Sequence, residues 1–203
     1  MPEDHAHSPA APLIDQQEPP RPRTVRARHA ASLIVYRMRA DGPEMLMGLR
    51  GAKHRFMPNR LVFPGGAVDR ADLSAPAAVP LTPHTERMLR KKANAHLTHG
   101  LGIAAAREPA EETRAVTPPG LPIRFNARFL VVDAERATGT LGGDGELDAL
   151  RYYGLGEALA LDLALPTRRV LERLQIWLSM SVEERMAQTH APVLLRDRGW
   201  RME

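Results

Sequence analysis

The stretch "LVFPGGAVDRAD", Leu61 to Asp72, constrains this chain more than any other. A β-branched and aromatic strand end meets a proline, two glycines and then a scatter of acids. Proline ends a buried strand because it cannot donate to a ladder, and paired glycines leave the main chain bare. Such backbone is either a tight turn or a place where something approaches the main chain closely, which only glycine allows.

The rest of the chain supplies strands for this loop to join. "AASLIVYRM" (Ala30–Met38) is a predicted strand, and "RADGPE" with Asp41-Gly42 is a hairpin turn. "MLMGLR" returns as the second strand and "RLVF" as a third. "RFNARFLVVDA" and "ELDALRYYGL" predict two more, the first rich in aromatic and branched residues. A Pro-rich loop and a short basic helix around Glu86–Leu97 occupy residues 73–100, and "LGIAAAREPAEETR" (Leu101–Arg114) predicts a helix. Thr167 is placed to cap a helix whose apolar stripe is Val170, Leu171, Leu174 and Trp177. Ser181 and Glu184 have capping-box spacing for a last helix. Strands mixed with helices, without an internal repeat, indicate one α/β sandwich. The expected layout is an N-terminal tail over residues 1–28 and a single domain over 29–203.

Composition narrows the function. No apolar run approaches the roughly 18 residues of a membrane span, and residues 1–20 lack the apolar core of a secretory signal. The absence of cysteine excludes disulfides, a thiol nucleophile and Cys-ligated zinc. A cytoplasmic protein without a membrane partner is expected. The net charge is +4. Through Arg28, Glu3, Asp4, Asp15 and Glu18 cancel Arg21, Arg23, Arg26 and Arg28, so the surplus lies in the folded part. Met47 to Arg60 carries Arg50, Lys53, Arg55 and Arg60 and no acid, a basic patch suited to an anionic partner. Aromatics are scarce, which argues against a stacking platform for single strands. His96 and His99 are expected as a solvated pair, because further zinc ligands are not evident.

"REPAEE" is the second informative segment. On a helix Glu108, Glu111 and Glu112 fall at i, i+3 and i+4 and share one face. Glu108 and Glu112 then repel by roughly 0.2–0.5 kcal/mol. Glu111 and Glu112 also sit toward the helix C-terminus, the unfavourable end of the macrodipole. A divalent cation would reverse this balance, and Mg²⁺ or Mn²⁺ favour carboxylate oxygens.

Together these segments resemble the Nudix hydrolase signature, G-x5-E-x7-R-E-U-x-E-E-x-G-U with U a bulky apolar residue. Gly66 matches the glycine, and Asp72 stands where the family has glutamate. Arg107-Glu108 and Glu111-Glu112 match the R-E and E-E pairs, with 34 residues between Asp72 and Arg107 in place of seven. Insertions at this point occur in relatives of the peroxisomal acyl-coenzyme A diphosphatases. The flanks "VFPGG" and "LDALRYYGLGEAL" are also similar, so the resemblance spans about Ala30 to Leu178. Pro109 replaces the bulky apolar residue and Arg114 the terminal glycine.

The resemblance implies an α/β/α sandwich with a mixed sheet. It implies hydrolysis of a nucleoside diphosphate linked to another moiety, with Mg²⁺ or Mn²⁺ as cofactor. Glu108, Glu111 and Glu112 are the implied metal ligands, with the carbonyl of Gly65. Glu108 doubles as base, and Arg107 orients a glutamate by ion pairing. Glu146 is the candidate for a further downstream acid. Gly65 and Gly66 are then bare so that metal and diphosphate can approach.

"RGAKHRFMPNRLVFPGG" is similar in part to the pattern of the coenzyme A-cleaving branch. On that resemblance Arg50 and Arg55 clamp substrate phosphates, with Lys53 as a point charge, and coenzyme A or an acyl form of it is the substrate. Asn59 stands where that branch has glycine. The insertion at 73–100 is expected to border the active site, so that its excision alters substrate preference more than stability. The expected partner is a small-molecule nucleoside diphosphate derivative, without nucleic acid, and a homodimer is allowed for. The alternative, motivated by Pro109 and Arg114, is a degenerate domain that binds a nucleotide-like ligand without cleaving it.

Overall fold

A computed structural model describes residues 26–52, 57–107, 125–137, 147–195 and 199–203. Two long strands found the sheet. Strand β1 (Arg28–Arg39) and β2 (Gly42–Arg50) form an antiparallel hairpin paired from Tyr36↔Met45 to Arg39↔Gly42. Beyond Tyr36 the two strands part. The chain returns between them as β3 (Leu61–Val62), which pairs with Gly48 and Leu49 of β2. It then crosses over Phe63-Pro64, whose carbonyl at Pro64 accepts from Leu33 N at 2.9 Å. It continues as β4 (Gly65–Ala67), which pairs with Ala30–Ser32 of β1.

The outer edges carry β5 (Phe125–Asp133), parallel to β1 from Arg28↔Phe125 to Tyr36↔Asp133, and β6 (Leu147–Gly154), antiparallel to β2. One parallel pair among antiparallel ones makes the sheet mixed.

Alternation of side chains along β1 sends successive residues to opposite faces. Ile34 and Tyr36 join Met45, Met47, Leu61, Phe63 and Tyr153 against helices α3 (Leu155–Ala160) and α4 (Leu165–Leu178). Ala31 and Leu33 face the other way, against α1 (Pro83–Arg90) and α2 (Ala95–Arg107). The result is an α/β/α sandwich. Helix α5 (Val182–Ala187) begins with the expected Ser181–Glu184 capping box, and a ribbon of β7 (Pro192–Leu195) and β8 (Gly199–Met202) follows. No helix among the described residues is long and apolar enough to cross a membrane.

Three local expectations change. The single basic helix at 86–97 is two helices, because Asn94 caps a new one: its Oδ1 accepts from Leu97 N at 2.9 Å. Helix α2 therefore starts six residues before Leu101, and its course beyond Arg107 lies outside the described residues. Helix α4 is capped at Ala164 with Pro166 in its first turn, and Thr167 is buried inside it.

Residues 73–100 also contribute to the core. Leu81, Leu89, Ala93 and Leu97 pack into the second core, so residues 73–100 supply half of one helical layer.

Candidate active site

The glycine loop owes its bareness to its place between β1 and β2. A Cβ on Gly65 would stand 2.5 Å from Ser32 Cα and 2.6 Å from Ala31 O. No side chain fits there. This glycine thus permits a close approach to the backbone of β1.

After Ala67 the chain leaves the sheet, with Val68 N held by His29 O at 2.9 Å, and turns through a short 3-10 segment, Ala71–Leu73. Asp72 is only 2% exposed. Its Oδ2 accepts from Asp69 N at 2.7 Å, closing the turn. A carboxylate this buried must be paired. Arg107, the last described residue of α2, donates Nε to Oδ1 at 2.9 Å and Nη2 to Oδ2 at 3.0 Å. The same Nη2 stands 3.5 Å from Ala67 O and 3.9 Å from Asp69 Oδ2. Arg107 was expected to pair with a glutamate; among the described residues the carboxylate that its fork grips is Asp72.

The fork can form because α2 lies close over the turn. A Cβ on Gly100 would come within 2.8 Å of Leu73 Cδ2 and 3.2 Å of Val68 Cγ1. His99 tightens the same contact: its Nε2 lies 2.7 Å from Ala75 O. This corrects the expectation of a solvated histidine pair. His96 is exposed, and His99 anchors the segment at Ala75.

Of the other expected site residues, Glu108, Glu111, Glu112, Pro109, Arg114 and Glu146 lie outside the described residues, as do Lys53 and Arg55. Arg50 ends β2, where its N donates to Arg60 O at 3.0 Å and its carbonyl accepts from Asn59 N at 2.8 Å. Arg60 is committed elsewhere, to the side chain and carbonyl of Asp162. Asn59 has φ +55°, in the left-handed region that glycine favours and asparagine tolerates. Among the described residues no group of three or more His, Asp or Glu is placed to hold a metal.

One cluster escaped the sequence reading. His29, at the β4 end of β1, lies on the same sheet face as Arg128, the partner of Ala31. Burial first, then the charges of Arg128 and Arg26, push its imidazole below the ordinary value of 6.5. Burial likewise lowers the Arg128 guanidinium. The signal available in sequence was the acid-free run from Ala115 to Val132, which holds Arg128 within a strand.

No protein-family model matches the chain, and no curated protein matches it in sequence. Among solved structures it is similar to the NUDIX hydrolase from Alicyclobacillus acidocaldarius, at 22% identity and a TM-score of 0.56, over 80% of this chain and 96% of that one. Lower TM-scores of 0.44 relate it to the Nudix hydrolase RenU from M. smegmatis, at 19% identity over 76% of this chain and 88% of that one. The same score holds for an Ap4A hydrolase from C. elegans, at 16% identity over 75% and 98%. At 22% identity the first likeness is one of fold, and by that likeness the chain is a Nudix-type α/β/α sandwich.

Proposed function

We propose that the protein is a metal-dependent hydrolase that cleaves the diphosphate bond of a nucleoside diphosphate linked to another moiety. The observation that carries this reading is the Arg107–Asp72 fork. It ties the glycine loop to the end of α2 despite the 34 residues between them, and "EPAEE" follows Arg107 directly in sequence. That contact supports reading the split halves of the signature as one unit.

In this reading Glu108, Glu111 and Glu112, with the Gly65 carbonyl, are the metal donors. Carboxylate and carbonyl oxygens suit Mg²⁺ or Mn²⁺ better than softer ions. A bound divalent ion supplies charge neutralisation at phosphorus and a more acidic water. Glu108 also takes the proton of the attacking water. Arg107 is a positioning residue, since its fork is already engaged by Asp72. Arg50, Lys53 and Arg55 receive the remaining phosphates of the substrate, for which a coenzyme A-type diphosphate is our choice. Asn59 is compatible with that choice, because its backbone is left-handed, a region that glycine favours and asparagine tolerates.

The test is a screen of diphosphate compounds with Mg²⁺ or Mn²⁺, read by product mass. The reading expects two phosphorylated products from one diphosphate, with coenzyme A cleaved faster than its 3′-dephospho form. Ligand binding without products in either metal would replace it with the non-hydrolytic alternative that Pro109 and Arg114 suggest. Faster cleavage of ADP-ribose or a dinucleoside polyphosphate would remove coenzyme A and keep the hydrolase.

A further inference from the structure

We propose that Phe129 of β5 is the platform on which the base of the nucleoside diphosphate stacks, with Phe63 as its support. The inference rests on the diphosphate reading for the identity of its ligand, and on the following geometry for its place.

Paired residues of neighbouring strands share a face. Ser32 pairs with Phe129 on one side and with Gly65 on the other, so the three form one row across β5, β1 and β4. The row lies on the side of α3 and α4, because two positions further along their strands Ile34 and Val131 pack into that core. The Ser32 hydroxyl fills the space that a Cβ on Gly65 would need, which puts the glycine on the same face. Phe129 thus stands two strand spacings, about 10 Å, from the glycine proposed as a metal donor. The ribose of a nucleoside diphosphate spans such a gap.

Helices α3 and α4 cover only one half of this face. On β5 Val131 packs beneath them, whereas Phe129 is 38% exposed and Ala127 is exposed as well. On β2 Met47 is wholly buried, whereas Leu49, the partner of the core residue Leu61, is exposed. A sheet face open to water ordinarily turns polar. This one stays apolar through Ala127, Phe129 and Leu49, and ends at the exposed Asp148, the partner of Leu49. An exposed apolar stretch with a polar rim marks a binding surface. Its continuity with the glycine loop selects the substrate as occupant.

The Phe129 ring selects the part of the substrate. It meets the ring of the buried Phe63 in a T-shaped contact, with centroids 6.1 Å apart and planes at 74°. Such a contact fixes a ring and leaves it at least one face for another aromatic partner. A planar base matches that face, and stacking of this kind tolerates any base.

The experiment titrates the full chain, in EDTA, with ADP and separately with inorganic pyrophosphate by calorimetry, and follows the adenine protons of ADP by NMR. Wild type should bind ADP about tenfold more tightly than pyrophosphate, the worth of one stacked base, and the adenine protons should move upfield over the phenyl ring. Phe129→Leu should bring ADP down to the affinity of pyrophosphate and leave pyrophosphate unaltered. Phe129→Trp keeps an aromatic face and should retain the preference, which separates stacking from packing against Phe63. Val182→Ala, an exposed apolar position on α5, is the control and should equal wild type. Equal affinities of wild type for ADP and pyrophosphate, unmoved adenine protons, an unaltered preference in Phe129→Leu, or an equal loss in Val182→Ala would each overturn the platform. Turnover separates the two readings. A wild type that cleaves its diphosphate substrate, with an unchanged KM in Phe129→Leu, removes the platform and leaves the hydrolase. ADP preference lost in Phe129→Leu, by a wild type that hydrolyses nothing, keeps the platform and removes the hydrolase.

Discussion

Arg107 and Asp72, 35 positions apart, meet in a two-pronged ion pair with contacts of 2.9 and 3.0 Å, and the carboxylate is almost wholly buried. Breaking one side of such a pair strands the other charge. Arg107→Met should therefore destabilise the protein by about 3–5 kcal/mol. Asp72→Asn should cost less, because the Arg107 side chain keeps 17% exposure and can reach water. Urea denaturation of the two variants checks the order. Near-equal losses below about 1 kcal/mol would mark the pair as a surface contact.

Gly65→Ala places a methyl group against the Ser32 and Ala31 backbone. Backbone cannot move aside as a side chain can, so β4 must shift away from β1. The expected cost is at least the roughly 1–3 kcal/mol of an overpacked core, with loss of turnover as the loop moves. A folded variant of unaltered stability would show that the space is larger than the structure has it.

Leu89→Ala separates the two views of the insertion. Leu89 is 8% exposed and packs with Leu101, Ala104 and Ala105 of α2. A structural insertion should lose about 2–5 kcal/mol on this truncation. A passive excursion would lose almost nothing in the same thermal or urea measurement.

Glu112→Gln removes an anionic oxygen from the proposed metal donors and one charge from a crowded acidic run. Metal-dependent turnover should fall by more than about 100-fold, and stability without metal should hold or rise slightly. Product mass and thermal melting in EDTA read the two effects separately. Retained turnover would take Glu112 out of the site.

His29 should make stability depend on pH in a definite sense. Burial, Arg128 and Arg26 keep the folded imidazole below its ordinary 6.5. The unfolded chain then takes up the proton first as pH falls. Stability from the neutral ring is thus held above pH 6.5 and lost as pH drops through 6.5 toward the lower folded value. Denaturation at pH 7.5 and 5.5 should show a smaller fall in His29→Gln than in wild type.

Five of the eight described strands were legible, because alternation and turn chemistry are local, whereas β4, β7 and β8 were not foreseen. Asp41-Gly42 closes the first hairpin, Val170, Leu171 and Leu174 turn one stripe of α4 to the core, and Ser181 with Glu184 caps α5. The same locality fails at the cap of α2, where Asn94 competes with a continuous apolar pattern and wins by satisfying Leu97 N. The resemblance selected Gly66, Asp72 and Arg107 from spacing, but spacing carries no information about which charges meet. Only the tertiary structure decided that Arg107 grips Asp72 and that His99 holds the insertion through Ala75. It also decided that Gly65 lies against the β1 backbone and that Arg128 comes to the same sheet face as His29. Each of these contacts joins residues distant in sequence. Their energies depend on burial and on the second partner, and neither exists until the sheet has closed around them.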